Sequence, residues 1–369
     1  MIYYVWSFLA VTHLYLYLKL CSGFGRGWWG VVYLLWGVVC AVLPLALVRG
    51  YLGTVRLIEI LFGLVFTWIA LVGMACAGFL LMDTGSLAAR LLDWLTGTNL
   101  KLRFFDPRKC VPVTLLLIST LVLYSYYEAW NVRRVDLVIE TPKLPDGIDR
   151  LRLVHLTDIH FGGLYTSARF REVMDIVHSA SPDILVATGD IVDGDMRFWE
   201  EEAKLLAAHG AKYGAYAVTG NHEFYFGLEQ AIDFKKRAGF VPLRDAVADV
   251  AGIAILGLDG RPSWNRLEPE TLPNGLCFPE DKFVLVLKHL PGVIEGSEGK
   301  FDLQLSGHTH DGQLWPFSWF ARWMYNSKPG LSYKGSSAVY VSNGAGFWGP
   351  PLRFLTPPEV TVIDLVQKK

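Results

Sequence analysis

The sequence carries no surplus of charge of either sign and contains few cysteines. Its 34 Lys and Arg residues are balanced by 35 Asp and Glu residues, which leaves a formal net charge of -1. A nucleic-acid partner normally requires a basic face, so this balance gives no reason to propose one. Of the five cysteines, four lie in or beside the apolar N-terminal part, and only Cys277 lies in the remainder. No disulfide within that remainder is therefore expected.

Polar residues are scarce in the first 130 positions, where four stretches are long and apolar enough to cross a bilayer, which takes about 20 helical residues. We predict an all-α transmembrane region over residues 1–130, with four helices near 2–18, 28–48, 57–82 and 111–130. Between the last two, the apolar residues from Leu87 to Leu95 predict a short amphipathic helix on the membrane surface. The chain is thus expected to be a multi-pass integral membrane protein.

The distribution of Lys and Arg predicts the side of the membrane that holds the rest of the chain. The connections after the first and third spans contain seven of them, whereas five lie near the opposite span ends. Positive residues stay preferentially in the cytoplasm, so the C-terminal part is expected on the extracytoplasmic side. Arg133 and Arg134, directly after the fourth span, oppose this bias.

From residue 131 onward the sequence changes to short apolar or β-branched runs separated by Gly, Pro and Asp. Candidate strands lie near 135–140, 151–157, 183–188, 214–219, 253–258, 283–288, 302–306, 338–342 and 359–365, and candidate helices near 167–180, 198–209 and 228–238. This alternation predicts a layered α/β domain over residues 131–369. In such domains the loops after the strands gather the functional side chains.

Side chains of metal-ligand type follow five of these predicted strands. They occur as Asp158-Ile159-His160, Gly189-Asp190-Ile191-Val192-Asp193, Gly220-Asn221-His222-Glu223, His289 and Gly307-His308-Thr309-His310. One such motif is common by chance, but five of them indicate a shared centre. Mixed imidazole, carboxylate and amide donors suit Mn, Fe, Zn or Co. Two ions about 3.5–4 Å apart can hold the attacking and leaving oxygens of a phosphoryl group.

These motifs, in this order, resemble those of the calcineurin-like metallophosphoesterases. The C-terminal stretch from Tyr340 through Arg353 to Glu359 resembles the bacterial membrane-associated branch called the YkuE/YaeI type. The resemblance excludes most of the apolar part. It implies a β-sandwich flanked by helices, and a hydrolase with two divalent metal ions that acts on a phosphate ester.

The resemblance also implies a role for each motif residue. One ion would be bound by Asp158, His160 and His310, and the other by Asn221, His289 and His308, with Asp190 bridging the two. His222 would lie beside the scissile phosphate as a catalytic residue, while Asp193 and Glu223 would orient ligands by hydrogen bonding. Water bound to both metals would have a pKa lowered toward about 7, so hydroxide becomes available as the nucleophile.

One position departs from the pattern of the branch. Asp311 follows the last histidine, where glycine is usual. Its carboxylate could join the metal ligands, but a solvated turn residue is the favoured interpretation.

An aromatic-rich segment follows the last metal motif. It contains Trp315, Phe317, Trp319, Phe320, Trp323 and Tyr325, and Phe347 and Trp348 come later. The segment could pack as a satellite core, or it could form a lip that enters the bilayer interface, where such side chains are favoured. Because few residues separate the fourth span from the first strand, a lipid-borne phosphate would then be within reach.

Three functions remain open. The favoured one is a membrane-anchored phosphodiesterase or phosphomonoesterase acting on a lipid-linked or envelope phosphate. A nucleotide-sugar-lipid pyrophosphatase, similar to the UDP-diacylglucosamine hydrolases of the same superfamily, would place the domain in the cytoplasm instead. A non-catalytic membrane sensor or transporter is the third, and the intact ligand set opposes it. The oligomeric state does not follow from the sequence.

Overall fold

The computed structural model describes residues 2–25, 27, 30, 33, 35, 37, 55–98, 104–162, 164–165, 167–260 and 271–368. The chain divides into two compact units, Met1–Ser125 and Tyr126–Lys369. The described residues of the first unit are mainly helical, and the second unit contains all of the described strands.

Three long helices account for most of the described residues of the N-terminal unit. They are α1 (Ile2–Phe24), α2 (Val55–Thr96) and α3 (Pro107–Trp130), the last of which continues into the second unit. Within the described residues, Gly63–Thr96 and Pro107–Trp130 are long and apolar enough to cross a membrane, judged by length and composition. These two helices match two of the four predicted spans. Helix α1 covers the predicted span 2–18 but is not among the candidate spans found in the described residues, and most of the span near 28–48 lies outside those residues.

The prediction of a separate surface helix between the last two spans is wrong. Leu87 and Leu95 both belong to α2, which runs without interruption for 42 residues. One glycine, Gly85, stands in this part of the helix, and an interior glycine costs only about 1 kcal/mol relative to alanine. The Thr84 hydroxyl donates to the carbonyl of Leu80 and so remains within the helical hydrogen-bond pattern.

The C-terminal unit is built on two six-stranded sheets. In order across the first sheet, the strands are β1 (Arg133–Thr141), β12 (Glu359–Gln367), β2 (Arg150–Leu156), β3 (Ile184–Ala187), β4 (Ala215–Ala217) and β5 (Phe240–Pro242). In order across the second, they are β10 (Gly330–Lys334), β11 (Ser337–Val341), β9 (Leu303–Ser306), β8 (Val284–Leu287), β7 (Ile253–Gly257) and β6 (Ala246–Val250). The predicted α/β class is confirmed.

The central strands are apolar on both faces because each sheet is covered on both sides. In β8, Leu285 and Leu287 join the core shared by the two sheets, whereas Val284 and Val286 join a cluster on the outer side. A short, uninterrupted apolar run is typical of such a doubly covered parallel strand. The two sheets therefore form a sandwich around one shared apolar layer.

Five helices among the described residues of this unit complete the layers. They are α4 (Ser167–Ala180), α5 (Glu200–Ala207), α6 (Asn221–Phe226), α7 (Leu228–Arg237) and α8 (Phe317–Tyr325). Helix α4 buries Phe170, Val173 and Val177 at helical spacing, and these side chains share a cluster with residues of the first sheet. Short 3-10 turns span Met196–Trp199 and His310–Gly312.

The direction of the strands decides where the loops meet. In the first sheet β2, β3 and β4 are parallel neighbours, and in the second β8, β9 and β11 are parallel neighbours. The carboxyl ends of parallel strands emerge at one edge of a sheet, so loops from both sheets can converge on a common centre.

Candidate metal centre

Loops that follow five parallel strands carry the predicted metal ligands. Asp158 follows β2, Asp190 follows β3, Asn221 follows β4, His289 follows β8 and His308 follows β9. The loops are joined by main-chain hydrogen bonds, among them one from Asp158 N to Gly189 O at 3.0 Å. The two sheets thus contribute to one cluster of polar side chains.

Much of the centre has an unusual backbone conformation. Positive φ angles occur at Asp158 (52°), His160 (54°), Asp190 (52°), His308 (70°) and His310 (46°). Such conformations cost on the order of 1–3 kcal/mol for a non-glycine residue and persist only where the surroundings enforce them. They are concentrated at functional sites, which agrees with the ligand chemistry of these loops.

Two glycines make room for the carboxylates. A Cβ atom added at Gly220 would overlap the carboxylate of Asp190, and one added at Gly307 would overlap that of Asp158. The glycines in the GNH and GHTH motifs are therefore required because a carboxylate from another loop lies directly against the main chain.

The first group of ligand atoms comes from Asp158, His160 and His310. The Nε2 atoms of His160 and His310 are 3.0 Å apart, and His310 Nε2 is 3.5 Å from Asp158 Oδ1. Asp158 also accepts from the main-chain N–H of His308, with N–O distances of 3.1 and 3.0 Å. All three side chains are buried.

The second group contains Asp190, Asn221, His289 and His308, arranged around one imidazole nitrogen. His289 Nε2 lies 3.1 Å from Asp190 Oδ2, from Asn221 Oδ1 and from His308 Nδ1. The other nitrogen of His289, Nδ1, is 2.8 Å from the carbonyl oxygen of Thr188 and donates to it. This bond directs Nε2 toward the other ligand atoms.

Both groups fit divalent cations. Ligands about 2.1 Å from one metal and about 90–110° apart lie roughly 3.0–3.4 Å from each other. The nitrogen pairs at 3.0 and 3.1 Å match this spacing. Asp190 Oδ2 lies 3.1 Å from His289 Nε2 and 4.0 Å from His160 Nε2, so this carboxylate is near both groups. The donor set therefore suits a pair of metal ions.

His222 lies next to both groups and is fixed by Asp193. Its Nδ1 is 2.8 Å from Asp193 Oδ1, and the same carboxylate is 3.0 Å from His160 Nδ1. His222 Nε2 is 4.0 Å from Asp190 Oδ2. Asp193 thus orients one predicted metal ligand and the predicted catalytic histidine together.

Glu223 joins the loop after β3 to the loop after β4. Its carboxylate accepts main-chain N–H groups of Asp190, Ile191 and Gly220 at 3.0, 3.0 and 2.7 Å. It also pairs with Lys235 of α7, and both side chains are buried. The ion pair offsets the cost of placing this carboxylate in the interior.

Neighbouring charges shift the pKa values of the centre. Burial alone would raise the pKa of Asp190, but His289 and His222 hold it well below its usual range. Burial would lower the pKa of His289, and Asp190 outweighs this and raises it to about 9. The pKa of His222 is likewise raised to about 9, against burial, by Asp193 and Asp190. Burial, together with Arg353, holds the pKa of His310 well below its usual range.

The sequence profile of the calcineurin-like phosphoesterase family matches residues 151–312. An uncharacterized metallophosphoesterase of Aquifex aeolicus is 35% identical over 251 residues, which span 66% of this chain and 96% of that protein. The chain belongs to the calcineurin-like phosphoesterase family. This membership confirms that the chain is a metal-dependent phosphoesterase, a hydrolase, as the motifs predicted.

Two further relatives of this calcineurin-like phosphoesterase bear on the branch. The uncharacterized metallophosphoesterase YkuE of Bacillus subtilis is 29% identical and aligns with 65% of this chain and 87% of its own length. A transmembrane protein with metallophosphoesterase domain of Danio rerio is 29% identical over 81% of this chain and 74% of its own length. The resemblance to the YkuE type is thereby confirmed.

The interpretation of Asp311 as a solvated turn residue is wrong. Its side chain is buried, its φ is 49°, and both carboxylate oxygens accept from Arg322 of α8, with N–O distances of 2.7 Å. The carboxylate is used in this bidentate pair and is in neither ligand group. A buried carboxylate needs such a partner, and the arginine satisfies it from the neighbouring helix.

Two contacts with predicted ligands were missed from the sequence. Tyr325 Oη lies 2.8 Å from His308 Nε2, on the side of the ring opposite the ligand group. Arg353 Nη2 lies 2.8 Å from His310 Nδ1. Tyr325 belongs to the aromatic segment and Arg353 to the C-terminal pattern, but nothing in their spacing indicates which ligand each of them contacts.

Proposed function

We propose that this calcineurin-like phosphoesterase is a membrane-anchored enzyme that hydrolyses phosphodiesters or phosphomonoesters at the membrane surface, including lipid-borne ones. The observation that carries the proposal is the pair of adjoining ligand groups, with Asp190 near both and His222 beside them.

The ligand assignment follows from the two groups. Asp158, His160 and His310 would hold one cation, Asn221, His289 and His308 would hold the other, and Asp190 would bridge them. When bound, two divalent cations supply positive charge for the phosphoryl oxygens and acidify a water that can act as nucleophile. Their identity, from Mn, Fe, Zn or Co, is left to metal analysis of the purified chain.

We assign His222 the role of general acid, which protonates the leaving oxygen of the substrate. Asp193 and Asp190, which raise its pKa to about 9, favour the protonated ring, and its Nδ1 is hydrogen-bonded to Asp193. Nε2 is then the nitrogen available to donate to the leaving oxygen. Proton transfer of this kind contributes about 10²–10⁴-fold to the rate.

The anchoring proposal rests on the apolar helices. We assign residues 1–130 to the membrane and residues 131–369 to the catalytic domain, on the extracytoplasmic side by the charge distribution. Two described helices meet the requirement for crossing a bilayer, and a relative of Danio rerio is named as a transmembrane protein. Helix α3 ends at Trp130 and β1 begins at Arg133, so the domain is tethered close to the end of that helix.

The test is an assay of the full chain in detergent with an aryl phosphodiester and an aryl phosphomonoester, each with added Mn²⁺. Asp190→Asn should abolish turnover, because it removes the charge near both cations. Asp249→Asn, at an exposed carboxylate of β6, should have no effect. Absence of turnover in the unaltered chain, or full turnover in Asp190→Asn, would instead support a non-catalytic sensor or transporter.

The substrate class requires a second assay. Lipid phosphates presented in bilayers, with products identified by mass, should include at least one that is hydrolysed faster than the aryl esters. Loss of that hydrolysis in His222→Ala would link the product to this centre.

A further inference from the structure

Helix α8 buries its polar face and exposes its apolar face, which is the reverse of the usual arrangement in a surface helix. Ser318, Arg322 and Tyr325, spaced by four and three residues, form one face. Ser318 is buried, Arg322 pairs with Asp311, and Tyr325 contacts His308, so this polar face is the one directed at the protein.

The opposite face of α8 is apolar and exposed. It consists of Phe317, Trp319, Phe320, Trp323 and Met324, whose exposed fractions lie between 39% and 76%. A surface helix of a water-soluble domain normally buries such a stripe and exposes the polar one. The exposure contradicts the satellite-core alternative for these residues, although Phe347, further along the chain, is buried.

We propose that the outward face of α8 inserts into the surface of the phospholipid bilayer in which the chain is anchored. This inference rests on the proposed membrane anchoring. Helix α8 contains no acidic residue, and its one cation, Arg322, is engaged with Asp311, so the outward face carries no charge. Tryptophan and other aromatic side chains on an amphipathic helix favour the headgroup and acyl boundary.

The polypeptide itself supplies the reason to choose a bilayer as the partner. Only two residues separate the end of α3 from β1, so the C-terminal unit remains near the membrane that α3 is proposed to cross. Two further exposed tryptophans, Trp315 and Trp348, lie outside α8. The ring of Trp315 is 5.5 Å from that of Trp319 and extends the outward face of α8, whereas the ring of Trp348 is 6.0 Å from that of His222. Gln313 connects the segments of these two tryptophans, because its side chain contacts the main chain of Trp348.

Spin labels on the full chain can measure the depth of α8. The five native cysteines are replaced by serine, and single labels are placed by Trp319→Cys, Trp323→Cys, Leu117→Cys and Tyr333→Cys. Each variant is reconstituted in phosphatidylcholine nanodiscs, and collision with oxygen is compared with collision with an aqueous nickel chelate. Leu117, exposed on α3, is the reference for the bilayer, and Tyr333, exposed on β10, is the reference for water.

The expected ratio of oxygen to nickel accessibility at 319 and 323 approaches that at 117 and exceeds that at 333. A ratio equal to that at 333 overturns the proposal. Protection from both reagents, with broadening that depends on protein concentration, overturns it in favour of a second copy as the partner. A water-like ratio at 117 would contradict the anchoring itself, and is therefore distinguishable from a failure of α8 alone.

Hydroxyl-radical oxidation of the unaltered chain gives a second measurement that needs no substitution. Trp319, Trp323 and Tyr333 are exposed by 64%, 76% and 63%. In nanodiscs the two tryptophans should be oxidised more slowly than Tyr333, although tryptophan is intrinsically no less reactive. Oxidation of both tryptophans at least as fast as that of Tyr333 would contradict insertion.

Discussion

At the scale of single residues, the centre depends on histidines in which Nδ1 is held by a hydrogen bond to the protein. His289 donates from Nδ1 to the carbonyl oxygen of Thr188, and His160 and His222 both direct Nδ1 at the carboxylate of Asp193. Each of these bonds fixes the rotation of an imidazole ring, so the other nitrogen points in a determined direction.

Tyr325 orients the ring of His308 through its contact with Nε2. We predict that Tyr325→Phe weakens metal binding about 10- to 100-fold, which is the range typical for the loss of such a supporting hydrogen bond. The substitution keeps the ring and removes only the hydroxyl that contacts His308 Nε2. Mn²⁺ titration of the full chain, followed by electron paramagnetic resonance, measures the affinity. Tyr333→Phe, at an exposed tyrosine, is the control, and equal affinity in both variants would contradict a positioning role.

The protonation of His289 predicts a pH dependence of metal binding. With its pKa raised to about 9 by Asp190, the ring is protonated at neutral pH, and a cation must displace that proton to bind. Apparent affinity should therefore rise with pH, by about tenfold for each unit below 9, and level off above it. Calorimetry in buffers of different ionisation enthalpy should detect the released proton. An affinity that does not change with pH in this range would contradict the assignment.

The motif residues could be found from the sequence because their types and spacing carry the chemistry. Asp190 and Asn221 each follow a short apolar run that is a strand, and the rule that loops meet at the carboxyl ends of strands predicted their convergence. Lys235 and Tyr325 could not be found in this way. They are ordinary helix residues, and only the tertiary packing of α7 and α8 brings them to Glu223 and His308.

At the scale of elements, the buried ion pair between Glu223 and Lys235 connects α7 to the metal loops. We predict that Lys235→Met destabilises the C-terminal unit by about 3–5 kcal/mol, because it leaves a buried carboxylate without its cation. The methionine retains the aliphatic stem, so loss of packing is small. Thermal unfolding of the full chain in detergent measures the effect, and Lys236→Met, at the exposed neighbour, should leave the midpoint unchanged. Equal midpoints for the two variants would contradict the importance of the pair.

The central strands of both sheets followed from the sequence, including the three-residue strand β4, whereas three strands at the sheet edges did not. The predicted helix near 167–180 agrees with the bounds of α4, Ser167–Ala180. The three-residue strand β5 and the half-exposed strands β6 and β10 were missed because their apolar runs are too short or too interrupted to stand out. The sequence identifies α8 only as an aromatic segment, because its apolar side chains face away from the core and its polar side chains face the protein, the reverse of the pattern that predicts a surface helix.

At the scale of the whole molecule, the polypeptide combines an apolar helical unit with a calcineurin-like phosphoesterase unit that is tethered to it by α3. A lipid-borne ester is confined to two dimensions, so an anchored enzyme meets it without the entropic loss of recruiting it from solution. In the proposed arrangement, α8 would contact the bilayer through its outward face. Tyr325, on its other face, contacts His308. The same helix would then connect the lipid surface to the metal centre.

The side of the membrane distinguishes this arrangement from its main enzymatic alternative. Seven positive residues against five predict that the C-terminal unit is extracytoplasmic, whereas hydrolysis of a nucleotide-sugar lipid requires a cytoplasmic nucleotide. A reporter fused to the C-terminus that is active only outside the cytoplasm should therefore be active. A second reporter that is active only inside should be silent in the same fusion. The reverse result would indicate a cytoplasmic domain, because Arg133 and Arg134 directly after α3 would then have determined the orientation, and it would favour the pyrophosphatase reaction.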